Sequence, residues 1–358
     1  MGTPCGEIKK MAQRLIEDLR GFHIAYVDAD HKTEEGEMPR AMQSGASMVY
    51  TDKISFKRLD ITDSLDRYQR NRIFNEYDLV IVNGNHFEAD LQIVVVDERK
   101  PLERKLDYIT NPIAIVRQSP EDRLPAYLEN HLGKELEIQP LYSLSEIKKL
   151  SDLIRDTLVL NVPRLHGLVL AGGKSERMGM DKGLINYHGL PQREYLFRLL
   201  ENYTENTFMS CRPDQLQDLS PWPCVADSID GLGPFGALVS AFREYPNHAW
   251  LVVACDLPLV TANTLMELAS NRNPSKIATA FHNPETNFPD PLLTIWEPKS
   301  YPLLLHFLSL GYSCPRKVLI NSRTEVLQPS DKNILLNANN PEELEKVRHL
   351  LKNQRSET

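Results

Sequence analysis

Leu165–Lys182 reads LHGLVLAGGKSERMGMDK, and this stretch decides the fold expected for the second half of the chain. A short apolar strand, Gly167–Leu170, runs into a glycine loop that then supplies two cations, Arg177 and Lys182. Glycines let a backbone close on a phosphate chain with no Cβ in the way, and their amides point at the anion. Cations beside such a loop neutralise charge that shifts during phosphoryl chemistry. The stretch reads as a nucleotide-handling loop.

Outward from that loop, apolar strands continue at Thr207–Ser210, Trp250–Ala254, Lys276–Phe281 and Pro291–Trp296. Strands rich in Val, Ile and Leu that alternate with helical patterns favour a parallel sheet covered on both faces. The last helix has a clear start: Asn340 as N-cap, Pro341 at the first helical position, and Glu342 and Glu343 complementing the dipole. A first block has the same texture. Ile8, Met11, Leu15 and Leu19 recur at helical spacing, and strands are expected at Phe22–Val27, Ser47–Thr51, Leu79–Val82, Leu91–Val96 and Ile113–Val116. Between the blocks the text is polar and proline-punctuated, with one helical piece around Ser145–Asp156. The expected organisation is therefore a domain over 1–120, a connector over 121–163 and a second domain over 164–358.

Composition narrows the function classes. Of 358 residues, 41% are hydrophobic and 25% charged, the profile of a soluble globular protein. A formal charge of −8 argues against a general nucleic-acid binder, which needs a strongly basic surface. No run approaches the roughly 18 apolar residues that span a bilayer, and MGTPCGEIKK lacks the apolar core of a secretory signal. Cys5, Cys211, Cys224, Cys255 and Cys314 have no paired spacing and read as reduced thiols, which predicts a cytoplasmic protein with no membrane partner.

Asp256 closes the strand WLVVACD and precedes Leu257-Pro258. Ligands of open parallel sheets bind beyond the carboxyl ends of strands, and a carboxylate there suits Mg²⁺, which takes one or two protein ligands. A lone aspartate in that position also serves as a turn or cap; the glycine loop upstream favours the metal. Asp227, in ADSIDGLGPFGAL, can accept hydrogen bonds from a base or ribose. Gly233 and Gly236 would keep side chains out of a cleft, although turn chemistry alone also accounts for them. Asn337 and Asn339, just before the last helix, are candidate phosphate or substrate contacts, with turn duty the alternative.

On these residues the second block resembles the molybdenum cofactor guanylyltransferases of the MobA type, within the nucleotidyltransferases of Rossmann-like α/β fold. The opening is similar to their LAGGxSxRMGxDK through Leu170, Ala171, Gly172, Gly173, Ser175, Arg177, Met178, Gly179, Asp181 and Lys182. Asp227-Ser228, Gly233-Pro234, Cys255-Asp256-Leu257-Pro258, Asp290-Pro291-Leu292 and Asn337-x-Asn339-x-Pro341-Glu-Glu-Leu follow in matching order. The resemblance implies a reaction that joins GMP from GTP to molybdopterin, giving the guanine dinucleotide and pyrophosphate, with Mg²⁺ as cofactor. It implies that Leu170, Ala171, Gly172 and Gly173 hold GTP, that Lys182 contacts its phosphates beside Arg177, that Asp227 lies near the nucleoside and that Asp256 holds the metal. GTP and molybdopterin are the implied partners, with molybdoenzyme apo-proteins or their chaperones as receivers. Where the family often places Asn after the second strand, this chain has Met209-Ser210-Cys211-Arg212, which bears on guanine against cytosine; the LAGG opening favours guanine.

The first block weakly resembles the GTP-binding MobB-type adapter, through AMQSGASMVY and YDLVIVNGNHFEADLQIVVVDERK. The adapter's P-loop uses a Lys on the phosphates and a Ser/Thr hydroxyl on the metal; here Glu7 and Ile8 stand at those places, and Asn83-Gly84 replaces an acidic-Gly pair. The first domain is therefore expected to be P-loop-like without a working P-loop, a nucleotide-free scaffold. The strand that should precede the loop is missing, which predicts a gene product starting further upstream. His23, His31 and His86 are too widely spaced for a metal signature, and Arg99–Lys105 reads as a solvated charged face. Two rival functions stay open: transfer of a cytidylyl or other nucleotide group to molybdopterin or a sugar phosphate, and a non-catalytic cofactor adapter. Intact Lys182 and Asp256 speak against the adapter.

Overall fold

The computed structural model describes residues 1–29, 38–172, 181–338 and 340–356. The chain forms two compact α/β units, Met1–Asn161 and Val162–Thr358.

In the first unit the strands are β1 (Ile24–Val27), β2 (Met48–Asp52), β3 (Lys57–Ile61), β4 (Leu79–Val82), β5 (Gln92–Val95), β6 (Pro112–Arg117) and β7 (Leu141–Ser143). The single parallel sheet expected here is divided among the described residues into three groups. β1 pairs with β4 in parallel, β5, β6 and β7 form a parallel trio, and β2 and β3 make an antiparallel hairpin. The first strand of the hairpin was expected at Ser47–Thr51, but its partner was invisible in the apolar pattern because β3, KRLDI, is largely polar and exposes its first three residues. Helix Cys5–Asp18 buries Ile8, Ala12 and Leu15; of the expected stripe Ile8, Leu15 and Leu19 are buried and Met11 is half-buried. It packs with helix Ile147–Leu160 over Val95, Ala114 and Val116. Where a connector was expected over 121–163, the structure has helix Ala126–Leu132, β7 and helix Ile147–Leu160. Leu128, Leu132, Leu150 and Ile154 there are buried in the unit's cores. Prolines and polar residues dominate that text, yet the few apolar positions fall at helical spacing and suffice to dock it.

The second unit holds one seven-stranded sheet of β8 (Leu165–Leu170), β9 (Asn206–Cys211), β10 (Cys224–Ala226), β11 (Ala249–Ala254), β12 (Ala278–Asn283), β13 (Phe288–Trp296) and β14 (Thr324–Leu327), in the order β10-β9-β8-β11-β13-β12-β14. Only β13 runs antiparallel to its neighbours. β11, AWLVVA, is buried at every position because both faces are covered. Leu251 and Val253 meet Leu196, Leu200 and Leu268 on one side. Trp250 and Val252 meet Phe235, Phe242 and Leu304 on the other. A strand sealed on both faces must be continuously apolar. Trp250 faces Trp296 across the β11–β13 ladder, and both are fully buried. This stack fixes the carboxyl ends of β8, β9 and β11, where the cleft lies.

Candidate nucleotide site

β9, β8 and β11 end side by side, and a cleft opens there against the start of helix Pro234–Glu244. Its walls include Leu170, Ala171, Gly172, Lys182, Asp227 and Asp256, so these sequence-predicted residues share one cavity. Its volume is about 200 Å³. Gly173, Arg177 and Asn339 lie outside the described residues. Asn337 is half-buried and is not among the lining residues; its neighbour Ala338 donates its N–H to the Asp256 carbonyl at 3.0 Å. Asn340 caps the last helix as expected, its side chain accepting from the Glu343 N–H at 2.9 Å.

The loop after β8 is held at its base. The Ala171 N–H continues the ladder to Ser210 at 3.1 Å, and Arg212 donates to the Gly172 carbonyl at 2.9 Å. A Cβ at Gly172 would sit 3.2 Å from Cys211 Cα and 3.4 Å from Arg212 N, so the close approach to β9 requires glycine. Lys182 follows Asp181, whose carboxylate accepts from the Gly183 N–H at 2.9 Å and pairs with Arg193 at 3.4 Å. Gly233, at φ +53°, makes the turn into its helix and lines the cleft. Gly236 is not a lining residue. Its missing Cβ instead makes room for the Ile229 carbonyl and Leu232.

Two carboxylates face the cavity, and burial raises the pKa of both. Burial pushes Asp227 up to about 6, against the pull of a Ser210 hydroxyl that donates to it at 3.3 Å and of nearby Arg212. Asp256 is also raised by burial, drawn back by Lys182 and raised again by Asp290. Its Oδ1 is sealed from solvent and, among the described residues, has no hydrogen-bond partner. Such an oxygen is costly to bury alone, and a hard divalent cation would satisfy it; the donor set therefore fits the metal the sequence implied. Asp290, buried, is engaged by the Asn283 side chain at 3.0 Å and the Leu292 N–H at 2.9 Å, so it shapes the field behind Asp256. The Cys255 thiol also lines the cleft, but burial raises its pKa and keeps it protonated. It is no nucleophile. All five cysteines are free.

Sequence reasoning gave no role to Ser210, Arg212, Cys255 and Leu292, although each fell in a stretch weighed in the resemblance; Ser210, Cys255 and Leu292 line the cleft, and Arg212 holds the Gly172 carbonyl beside it. Ser210 and Arg212 stand at the end of β9 beside the loop, where the strand-end rule of α/β sheets could have found them.

The family model described as the MobA-like NTP transferase domain matches residues 167–347. A molybdenum cofactor biosynthesis bifunctional protein of Synechocystis is 35% identical over 181 residues, which cover 50% of this chain and 52% of that protein. A molybdenum cofactor guanylyltransferase of Pseudomonas putida is 28% identical over 190 residues, covering 50% of this chain and 94% of that one. The chain thus matches about half the length of the Synechocystis relative and nearly all of the Pseudomonas one. A solved structure, molybdopterin-guanine dinucleotide biosynthesis protein A of Archaeoglobus fulgidus, is 20% identical at a TM-score of 0.45, covering 52% of this chain and 99% of that one. With about half of its length matched by that family's model, the chain belongs to the MobA-like NTP transferases.

Proposed function

We propose that the second unit transfers GMP from GTP to the terminal phosphate of molybdopterin, forming the guanine dinucleotide and pyrophosphate. The observation that carries this reading is the convergence of the Leu170–Gly172 main chain, Lys182 and the unpartnered Asp256 oxygen on one cleft. The names of the Synechocystis and Pseudomonas relatives support it.

The Leu170–Gly172 backbone would hold the nucleotide, Gly173 and Arg177 would extend the loop's grip, and Lys182 would neutralise the phosphates. Asp227 would accept from the nucleoside, and Asn337 and Asn339 would approach the acceptor. Bound Mg²⁺ on Asp256 would supply charge neutralisation at the phosphates. The acceptor phosphate oxygen attacks the α-phosphorus and pyrophosphate leaves, so the chain needs no nucleophile of its own and its work is positioning and electrostatics. The cytoplasm is the proposed setting, with molybdoenzyme apo-proteins or their chaperones as receivers of the product. Among the described residues no helix is long and apolar enough to cross a membrane.

For the first unit we propose a nucleotide-free scaffold. Glu7 is ion-paired with Lys10 at 3.2 Å and Ile8 is packed in the core, so neither resembles a phosphate or metal ligand.

The deciding experiment offers GTP, CTP, ATP and UTP with Mg²⁺ and molybdopterin and measures pyrophosphate. Release with GTP alone is expected. Preference for CTP would select the cytidylyl reading, and no release with any nucleotide would leave only the adapter.

A further inference from the structure

At the edge of the large sheet away from the cleft, three side chains converge that the proposed reaction does not use. His166 is the second residue of β8, Glu205 immediately precedes β9 and His248 immediately precedes β11. These strands are adjacent in the order β9-β8-β11, and the ladder sets His166 opposite Asn206 and Trp250. Four residue steps along β8 separate His166 from Leu170 at the cleft, roughly 13 Å at the rise of a strand.

One ligand atom from each of His166, Glu205 and His248 lies within 4.8 Å of the other two. The His166 ring is 2% exposed. Phe208, Tyr245 and Trp250 wall it at ring distances of 5.5, 5.2 and 5.3 Å, and His248 stacks on it at 4.0 Å. Among the described residues, Nδ1 of both histidines is buried without a hydrogen-bond partner. A buried polar atom left unpaired costs about 1–3 kcal/mol, so neither ring is fully satisfied by its protein neighbours. The carboxylate is already oriented. Arg164 donates to Glu205 Oε1 at 2.5 Å, while Oε2 lies 3.8 Å from His248 Nε2. Outer partners of this kind fix a ligand's direction.

We propose that His166, Glu205 and His248 form a site for one divalent transition ion of the zinc class, which ties together the amino ends of β8, β9 and β11. Two imidazoles and one carboxylate are a three-ligand set with a fourth position for water. Such nitrogen-rich donors select zinc-like ions over Mg²⁺. Bonds of about 2.0–2.2 Å hold donor atoms roughly 3.4 Å apart, so the set must close by about 1.4 Å on binding. His166 is fixed by its aromatic walls. The movement falls to His248 and Glu205, whose side chains are 30% and 37% exposed; the His248 ring turns out of the stack to direct its lone pair at the ion.

The test titrates Zn²⁺ into chelator-stripped, tag-free, full-length protein held in excess Mg²⁺, by calorimetry. One tight equivalent per chain is expected, weakened about ten- to a hundredfold by His248→Ala and by Glu205→Gln, and retained by Asp256→Asn. Zn²⁺ should also raise the unfolding midpoint of the wild type and leave that of His248→Ala unmoved. Should His248→Ala fail to fold, Glu205→Gln, altered at a partly exposed loop position, carries the comparison. No zinc uptake by the wild type, or equal uptake by wild type and variants, would overturn the assignment.

Discussion

Lys182 and Asp256 stand on the cleft for different local reasons: the first rides on the turn that Asp181 closes, the second on the carboxyl end of a fully buried strand. Lys182→Ala is expected to cut pyrophosphate release by about 10²–10³-fold, the effect of removing one preorganised charge donor. Release within tenfold of wild type would remove Lys182 from its role. Asp227 makes a second case. With a pKa raised from 3.8 to about 6 by burial, its neutral form is favoured by folding. That contribution is fully present below pH 3.8 and is lost as pH rises through about 6. Asp227→Asn should therefore be more stable than wild type at pH 8, with the advantage gone by pH 4, while nucleotide turnover falls. Urea midpoints at the two pH values decide it; equal gaps would show that burial of the charge is not the cause. Lys182, Asp227 and Asp256 were legible because motif spacing and strand ends mark them. Ser210 and Arg212 drew notice only as standing where the family often has Asn, and their contacts to Asp227 and the Gly172 carbonyl show once the neighbouring loop is in place.

At the scale of elements, the β8 loop and the end of β9 form one device. Gly172 is wedged against the Cys211 backbone while Arg212 grips its carbonyl. Gly172→Ala must push one backbone off the other, and misplacing a positioning loop costs about 10²-fold. The expected outcome is a rise in KM for GTP with the unfolding midpoint nearly unchanged; a KM equal to wild type would mean that the loop tolerates the methyl. β8, β9, β11 and β12 were readable as strands of four to six residues. β10 and β14 were not, being only three and four residues long. The direction of β13 escaped because periodicity says nothing about orientation. What sets it is the tight turn Pro284–Asn287, closed by the Asn287 N–H to the Asn283 carbonyl at 2.8 Å, with Asn287 at φ +60°. Asparagine is among the few residues that adopt that conformation readily.

The molecule as a whole joins a unit whose text fixes its chemistry to one whose text does not. In Val162–Thr358 sequence motif, strand order and cleft agree. In Met1–Asn161 the helix around Ser145–Asp156 and the strand near Ser47–Thr51 were read, but short strands and polar surfaces hid helix Ala126–Leu132, β7 and the second strand of the hairpin. The scaffold reading for that unit gives a prediction for the intact chain: Lys182→Ala combined with Asp256→Asn should reduce Mg²⁺-dependent GTP binding to background by calorimetry. Retained binding would locate a second nucleotide site among residues 1–161. The buried pair Trp250 and Trp296 bears on how such variants can be followed. With Trp222 they are the chain's three tryptophans, all in the second unit. Indole emission, blue-shifted while those rings stay dry, consequently reports the melting of the transferase half alone, and the other half passes unseen in that channel.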